Sequence, residues 1–244
     1  MNAASDSPVA LVTGAGNGLG RALALALAHE GFKLALHFYS NKEGALATQA
    51  AITQAGGEAE IFQADLASDT RARALADAVA KSFNRLDVLV NNAGLYQECH
   101  GLELSEAAWF EGLNSTVTQT FFTTRALLPL LRKGTLRRII NIGDSSCDRP
   151  GARDLAWSYH IGKTGVWMLT RSFAASEAPH GIAVNMVSPG FLANSVGPLP
   201  PEGIPAGRSG TFQDVHGAVR FLALEAPAYL SGSNLVVSGG WNLR

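Results

Sequence analysis

The chain is predicted to be an α/β protein, a doubly wound, parallel seven-stranded sheet of Rossmann type with helices on both faces. Three observations predict it. Short apolar runs alternate with longer alanine-rich segments, the runs are continuously apolar, and a glycine-rich turn follows the first of them. Continuous apolar runs suit strands buried on both faces, as parallel strands are. Strand and helix in regular alternation then require right-handed crossovers and a layered sheet.

In chain order, strands are expected at Val9–Thr13, Lys33–Phe38, Ala59–Phe62, Leu86–Val90, Arg138–Ile142, Ile182–Val187 and Asn234–Val237. Helices are expected between them at Leu19–His29, Lys42–Gln54, Asp69–Phe83, Ser105–Arg132, Ser158–Ala178 and Gln213–Leu224. The stretch Asn194–Thr211 breaks the rhythm, with Pro198, Pro200, Pro201, Pro205 and four glycines. So long a loop inside a compact domain reads as a lid over a site. Residues 1–244 are expected to form a single dinucleotide-binding domain carrying that lid.

Composition narrows the function classes. Hydrophobic residues make up 47% of the 244 residues, enough for a sizeable core. The net charge of -1 offers no basic field for nucleic acid or an anionic membrane. Cys99 and Cys147 make neither a disulfide framework nor a zinc pattern, and the six histidines have no metal spacing. Met1–Pro8 lacks the basic end and apolar core of a signal peptide. No apolar run approaches the roughly 20 residues that span a bilayer. The expectation is a cytoplasmic protein acting on a small molecule, with no metal.

The turn Thr13-Gly14-Ala15-Gly16-Asn17-Gly18-Leu19-Gly20 joins the first strand to a helix. Glycines there let backbone amides approach a pyrophosphate, and the helix end adds unpaired N–H groups and a positive dipole. Its spacing resembles that of the short-chain dehydrogenase/reductase family. So do Asp65-Leu66 after the third strand, Asn91-Asn92-Ala93-Gly94 after the fourth and Pro189-Gly190 after the sixth. The resemblance runs from residue 9 to residue 240. It implies a nicotinamide dinucleotide held by Gly14, Asn17, Gly18, Leu19, Asp65, Leu66, Asn92, Ala93, Gly94, Pro189, Gly190 and Leu192.

NADP rather than NAD is expected. An acid at the end of the second strand would bond the ribose of NAD and repel the extra phosphate of NADP. The chain has Ser40, Asn41 and Lys42 there, with no acid before Glu43. Asn17, however, stands where many NADP enzymes carry an arginine.

Tyr159 and Lys163 lie four apart, on one face of a predicted helix. By resemblance, Tyr159 donates and accepts the proton, while Lys163 tunes it and holds the nicotinamide ribose. A tyrosine pKa of about 10 would have to fall by about three units, roughly 4 kcal/mol, which two close cations can supply.

Two positions depart from the family. Its serine falls on Asp144 when counted along the fifth strand, and on Ser146 when counted back from Tyr159. The mismatch implies a loop two residues longer between Cys147 and Trp157. An aspartate there resembles the pteridine reductase branch, as does the Gly239–Arg244 ending. Thr116 falls where the family has an asparagine that holds a water, which puts the proton relay in question. Tyr96, Trp157 and Phe191 are candidate pocket walls, and His160 reads as helix surface.

The expected activity is hydride transfer between NADP(H) and a small carbonyl compound. The alternatives are a pteridine-type C=N substrate, or a nucleotide-binding sensor with little catalysis. The resemblance also implies a homotetramer or homodimer formed through the long helices.

Overall fold

The computed structural model describes residues 7–147, 149, 151–194 and 201–243, with Pro201 and Asn242 in backbone only. Seven parallel strands form one sheet in the order β3-β2-β1-β4-β5-β6-β7. They are β1 Val9–Val12, β2 Lys33–Phe38, β3 Ala59–Gln63, β4 Val88–Asn91, β5 Arg138–Ile142, β6 Ala183–Pro189 and β7 Asn234–Val237. The helices are α1 Gly18–His29, α2 Lys42–Gln54, α3 Asp69–Phe83, α4 Glu106–Leu113, α5 Gln119–Leu131, α6 Trp157–Glu177 and α7 Phe212–Arg220.

Alternate side chains of each strand feed two cores. Ala10 and Val12 pack with Leu23 and Leu27 of α1 and Val215 and Val219 of α7. Val9 and Leu11 face the other way, toward Val79 of α3, Leu127 of α5 and Ala174 of α6. Strand order reverses direction between β1 and β4, so a crevice opens beyond their carboxyl ends. Ligands bind in such crevices.

The single helix expected over Ser105–Arg132 is interrupted. A wide π-type turn, Asn114–Thr118, separates α4 from α5. Hydroxyls explain where it falls. Thr116 donates to the Gly112 carbonyl at 2.6 Å, and Ser115 donates to the same carbonyl at 3.3 Å. Thr120 bonds back to Thr116 at 2.8 Å, so side chains compete with the helix ladder through this turn. A second such turn, Phe221–Glu225, closes α7 within the span expected to be regular helix.

Of the expected lid, residues 195–200 lie outside the described residues. The remainder is tied down at both ends. Leu192 bridges Gly210, and the Ala206 amide donates to the Gly239 carbonyl at 3.0 Å. Ile204 beneath it is 3% exposed.

Candidate active site

The first turn of the site is built by Thr13. Its hydroxyl accepts from the amides of Asn92 and Ala93, each at 2.9 Å, and the Asn92 side chain donates to the Thr13 carbonyl at 2.9 Å. The ends of β1 and β4 are thereby locked together. Gly20 must be glycine, because a methyl there would overlap the Gly14 carbonyl. Gly18 has φ +51° and open space where a Cβ would lie. Asn17 precedes α1 in extended conformation and makes no side-chain capping bond, leaving first-turn amides for an anion.

These residues line a groove of about 770 Å³. Gly14, Asn17, Gly18 and Leu19 form one wall, and Ser40, Asp65, Leu66, Asn92, Ala93 and Gly94 the others. The Asp65 carboxylate accepts from Ala67 at 3.0 Å, fixing the turn after β3. The groove suits a pyrophosphate flanked by two nucleoside halves: the glycine cradle and the uncapped helix end agree.

Two expected phosphate ligands are placed elsewhere. Asn41 caps α2, accepting from Gly44 at 3.0 Å and donating to the Gly16 carbonyl at 3.4 Å. Lys42 opens α2, exposed, and lines no described part of the groove. Asn41 is drawn off by the helix it caps, while Lys42 stays exposed at the first position of that helix.

His37 was not among the expected site residues. It lines the groove, 2% exposed, between β1 and β3. Its Nδ1 accepts from the Gly14 amide at 3.3 Å, and Nε2 lies 3.1 Å from the Ala64 carbonyl. That pair of partners assigns the neutral Nε2–H tautomer. Burial pushes its pKa down to about 4, against the Ala64 bond that raises it. The available signal was one histidine inside an otherwise apolar strand.

A second cavity, about 400 Å³, adjoins the groove at Leu19, Asn92 and Gly94. Tyr159, Lys163, Asp144, Ser146, Pro189, Gly190 and Leu192 all reach its wall. Thus the helix pair, both serine-position candidates and the turn after β6 meet in one place. Lys163 is 4% exposed, donates to the Ile142 carbonyl at 2.6 Å, and lies 5.7 Å from the centre of the Tyr159 ring. Ser146 donates its hydroxyl and its amide to Asp144, so Asp144 and Ser146 act as one unit.

The protein's own groups hold the phenol high. Burial, and next the Asp144 carboxylate, push the Tyr159 phenol well above the usual tyrosine range. The Lys163 ammonium is itself lowered by burial, with Cys147 and Asp144 opposing. Desolvation and a neighbouring carboxylate set that direction, which an oxidised nicotinamide, when bound, would oppose.

Thr116 does not reach the cavity. It is 1% exposed, and its hydroxyl proton is committed to Gly112. Where the family's asparagine would hold a water, Thr116 packs against Gly162 of α6. Tyr96 and Phe191 line the cavity as expected, Tyr96 edge-on to Tyr159 with centroids 5.2 Å apart. Trp157 instead covers Gly101 and borders a neighbouring pocket. His160, expected on the helix surface, stands on the cavity wall, 5.3 Å from the Tyr159 ring. Trp241 also joins the wall, edge-on to Phe191 at 5.0 Å. Among the described residues no group of three or more metal-ligating side chains gathers, and no helix is long and apolar enough to cross a membrane.

A nucleotide groove opening onto a half-buried tyrosine and a buried lysine defines an oxidoreductase of the nicotinamide-binding class. The family model for short chain dehydrogenases matches residues 8–197. The chain belongs to that family and is an oxidoreductase with NAD or NADP as its cofactor class. It is 36% identical to a 3-oxoacyl-[acyl-carrier-protein] reductase of Synechocystis sp., covering 97% of this chain and 98% of the relative. It is 34% identical to the 2-dehydro-3-deoxy-D-gluconate 5-dehydrogenase of Escherichia coli, covering 98% and 97%. Among solved structures it resembles a blue fluorescent protein from a metagenomic library in complex with NADPH. That match has a TM-score of 0.87 and 29% identity over 96% of this chain and 97% of the other.

Proposed function

We propose that the protein reduces a small carbonyl compound with NADPH, Tyr159 giving the proton to the carbonyl oxygen. One observation carries this reading: the Tyr159 phenol and the Lys163 ammonium face one cavity that adjoins the nucleotide groove. When bound, the nicotinamide supplies the hydride to the carbonyl carbon. Tyr159 supplies the matching proton, and a protonated phenol is the form that can do so. Lys163, anchored on Ile142, is placed to hold a ribose hydroxyl and to balance the phenolate once the proton has left. Pro189 and Gly190 form the wall against which the nicotinamide would rest.

NADPH is favoured over NADH by the end of β2. Ser40 and Asn17 present polar groups to the groove, and no acid from the Ser40–Lys42 turn lies there. Asn41 supports the glycine loop beside that site, and Lys42 stands exposed next to it. A relative's structure contains NADPH, which agrees with this reading.

Asp144 favours a second substrate class, a pteridine-type ring reduced at C=N. A carboxyl beside Tyr159, with the edge-on rings of Phe191 and Trp241 nearby, suits a flat heterocycle that needs a proton on nitrogen. A sensor with little catalysis is the remaining reading. Steady NADPH oxidation with a panel of ketones and dihydropterins separates the three. Ketone turnover is expected; tight nucleotide binding without any turnover would overturn reduction in favour of sensing. A cytoplasmic homotetramer or homodimer, paired through the long helices, completes the proposal.

A further inference from the structure

The loop before α6 places a cation on the cavity wall. Arg153 stands in that loop, half-buried, and borders both the catalytic cavity and a neighbouring pocket of about 460 Å³. Its guanidinium has no carboxylate or carbonyl partner among the described residues, unlike the paired arginines Arg125, Arg132, Arg208 and Arg220. The loop itself is anchored. The Trp157 indole donates to the Arg153 carbonyl at 2.6 Å, and the Gly101 amide donates to the Asp154 carbonyl at 3.2 Å.

His160 borders the same two spaces, and its Nδ1 is buried with no hydrogen-bond partner. Arg153 and Asp144 act on this histidine with opposite sign, so the cavity is polarised: negative near Tyr159, positive toward the outer pocket. An anionic group would be repelled at the reacting end and held at the Arg153 end.

We propose that Arg153 and His160 form an anion subsite, selecting oxo acids whose carboxylate is bound there while their carbonyl faces Tyr159. The inference rests on the carbonyl-reduction reading and names its substrate class. The guanidinium fork can take a carboxylate through two N–H bonds, with the His160 ring as the wall beside it. The reaction balances as one hydride and one proton added to the carbonyl, with the carboxylate unchanged.

The test compares 2-oxopentanoate and 4-oxopentanoate with their methyl esters, at low salt, in the full-length protein. For at least one pair, kcat/KM for the acid is expected to exceed that for the ester at least tenfold. In Arg153→Met this ratio should fall at least tenfold, chiefly through KM, and Arg153→Lys should restore part of it. Calorimetric binding of the same acids gives a readout independent of turnover, with at least tenfold weaker binding in Arg153→Met. Esters as good as acids, or acid binding unchanged in Arg153→Met, overturns the subsite; so does failure of every acid to bind. Acids that bind through Arg153 but are never reduced would instead overturn the carbonyl-reduction reading.

Discussion

Gly162 of α6 packs directly on Thr116 in the turn between α4 and α5. A Cβ on Gly162 would stand 2.9 Å from that of Thr116 and overlap its hydroxyl. The neighbouring pair Gly112 and Ser158 is equally tight. Small residues on both elements let α6 approach the turn closely, and that approach sets the height of Tyr159 and Lys163 above the nucleotide groove. Gly162→Ala should therefore destabilise the protein by about 1–3 kcal/mol, the cost of overpacking a core contact. Urea denaturation checks this, and an unchanged midpoint would show that the crossing is looser than described.

Tyr159→Phe removes the proton donor and leaves the ring. Its kcat should fall by about 10²–10⁴-fold, the usual contribution of a positioned acid. Nucleotide affinity, measured by NADPH fluorescence, should stay within a few-fold because the groove is untouched. Full activity in the phenylalanine variant would remove Tyr159 from the chemistry.

Asp144 gives a pH signature. Its carboxylate is the second cause, after burial, of the raised Tyr159 phenol. Reduction needs the protonated phenol, so activity is lost as pH rises through the phenol's pKa. Asp144→Asn removes the negative charge and lowers that pKa, bringing the alkaline limb of the kcat/KM profile for reduction down toward the measurable range. A limb that stays in place, or moves up, contradicts the assignment.

The fold was largely legible because buried parallel strands write themselves as apolar runs. β2, β5, β7, α2 and α3 coincide with their expected spans. The turn at Asn114–Thr118 was not legible, since it depends on hydroxyls returning to one carbonyl, a tertiary choice among several available bonds. Tyr159, Lys163 and the glycine turn could be located by spacing. The direction of the phenol shift could not, because it follows from how deeply the ring is buried and where Asp144 lies. Asn41 shows the same limit: residue type suggests a phosphate ligand, while geometry assigns it to a helix cap.

Ser40 provides the test of cofactor choice. It lines the groove at the end of β2 and carries no charge. Ser40→Asp should weaken NADPH binding at least tenfold by repulsion of the 2′-phosphate while sparing NADH. Equal loss for both nucleotides would indicate a damaged loop instead.

His37 links the nucleotide groove to acid stability, with a definite sign. The unfolded histidine titrates at 6.5 and the folded one at about 4. Above pH 6.5 both are neutral and the contribution to stability is fully present. As pH falls from 6.5 to 4, the unfolded chain takes up a proton that the folded chain refuses, so stability drops; below 4 both are charged and the loss levels off. The total is about 3 kcal/mol for a shift of this size. Protonation would also place a second N–H against the Gly14 amide, which needs an acceptor there. Glutamine retains a neutral acceptor and donor, so His37→Gln should fold with similar bonding and lack the titration. The stability difference between the two proteins, from denaturant titrations at pH 7 and pH 4, should change by about 3 kcal/mol in favour of the variant at the lower pH. Carboxylates shared by both proteins cancel in this comparison, so a difference independent of pH would mean that His37 is not held neutral by the fold.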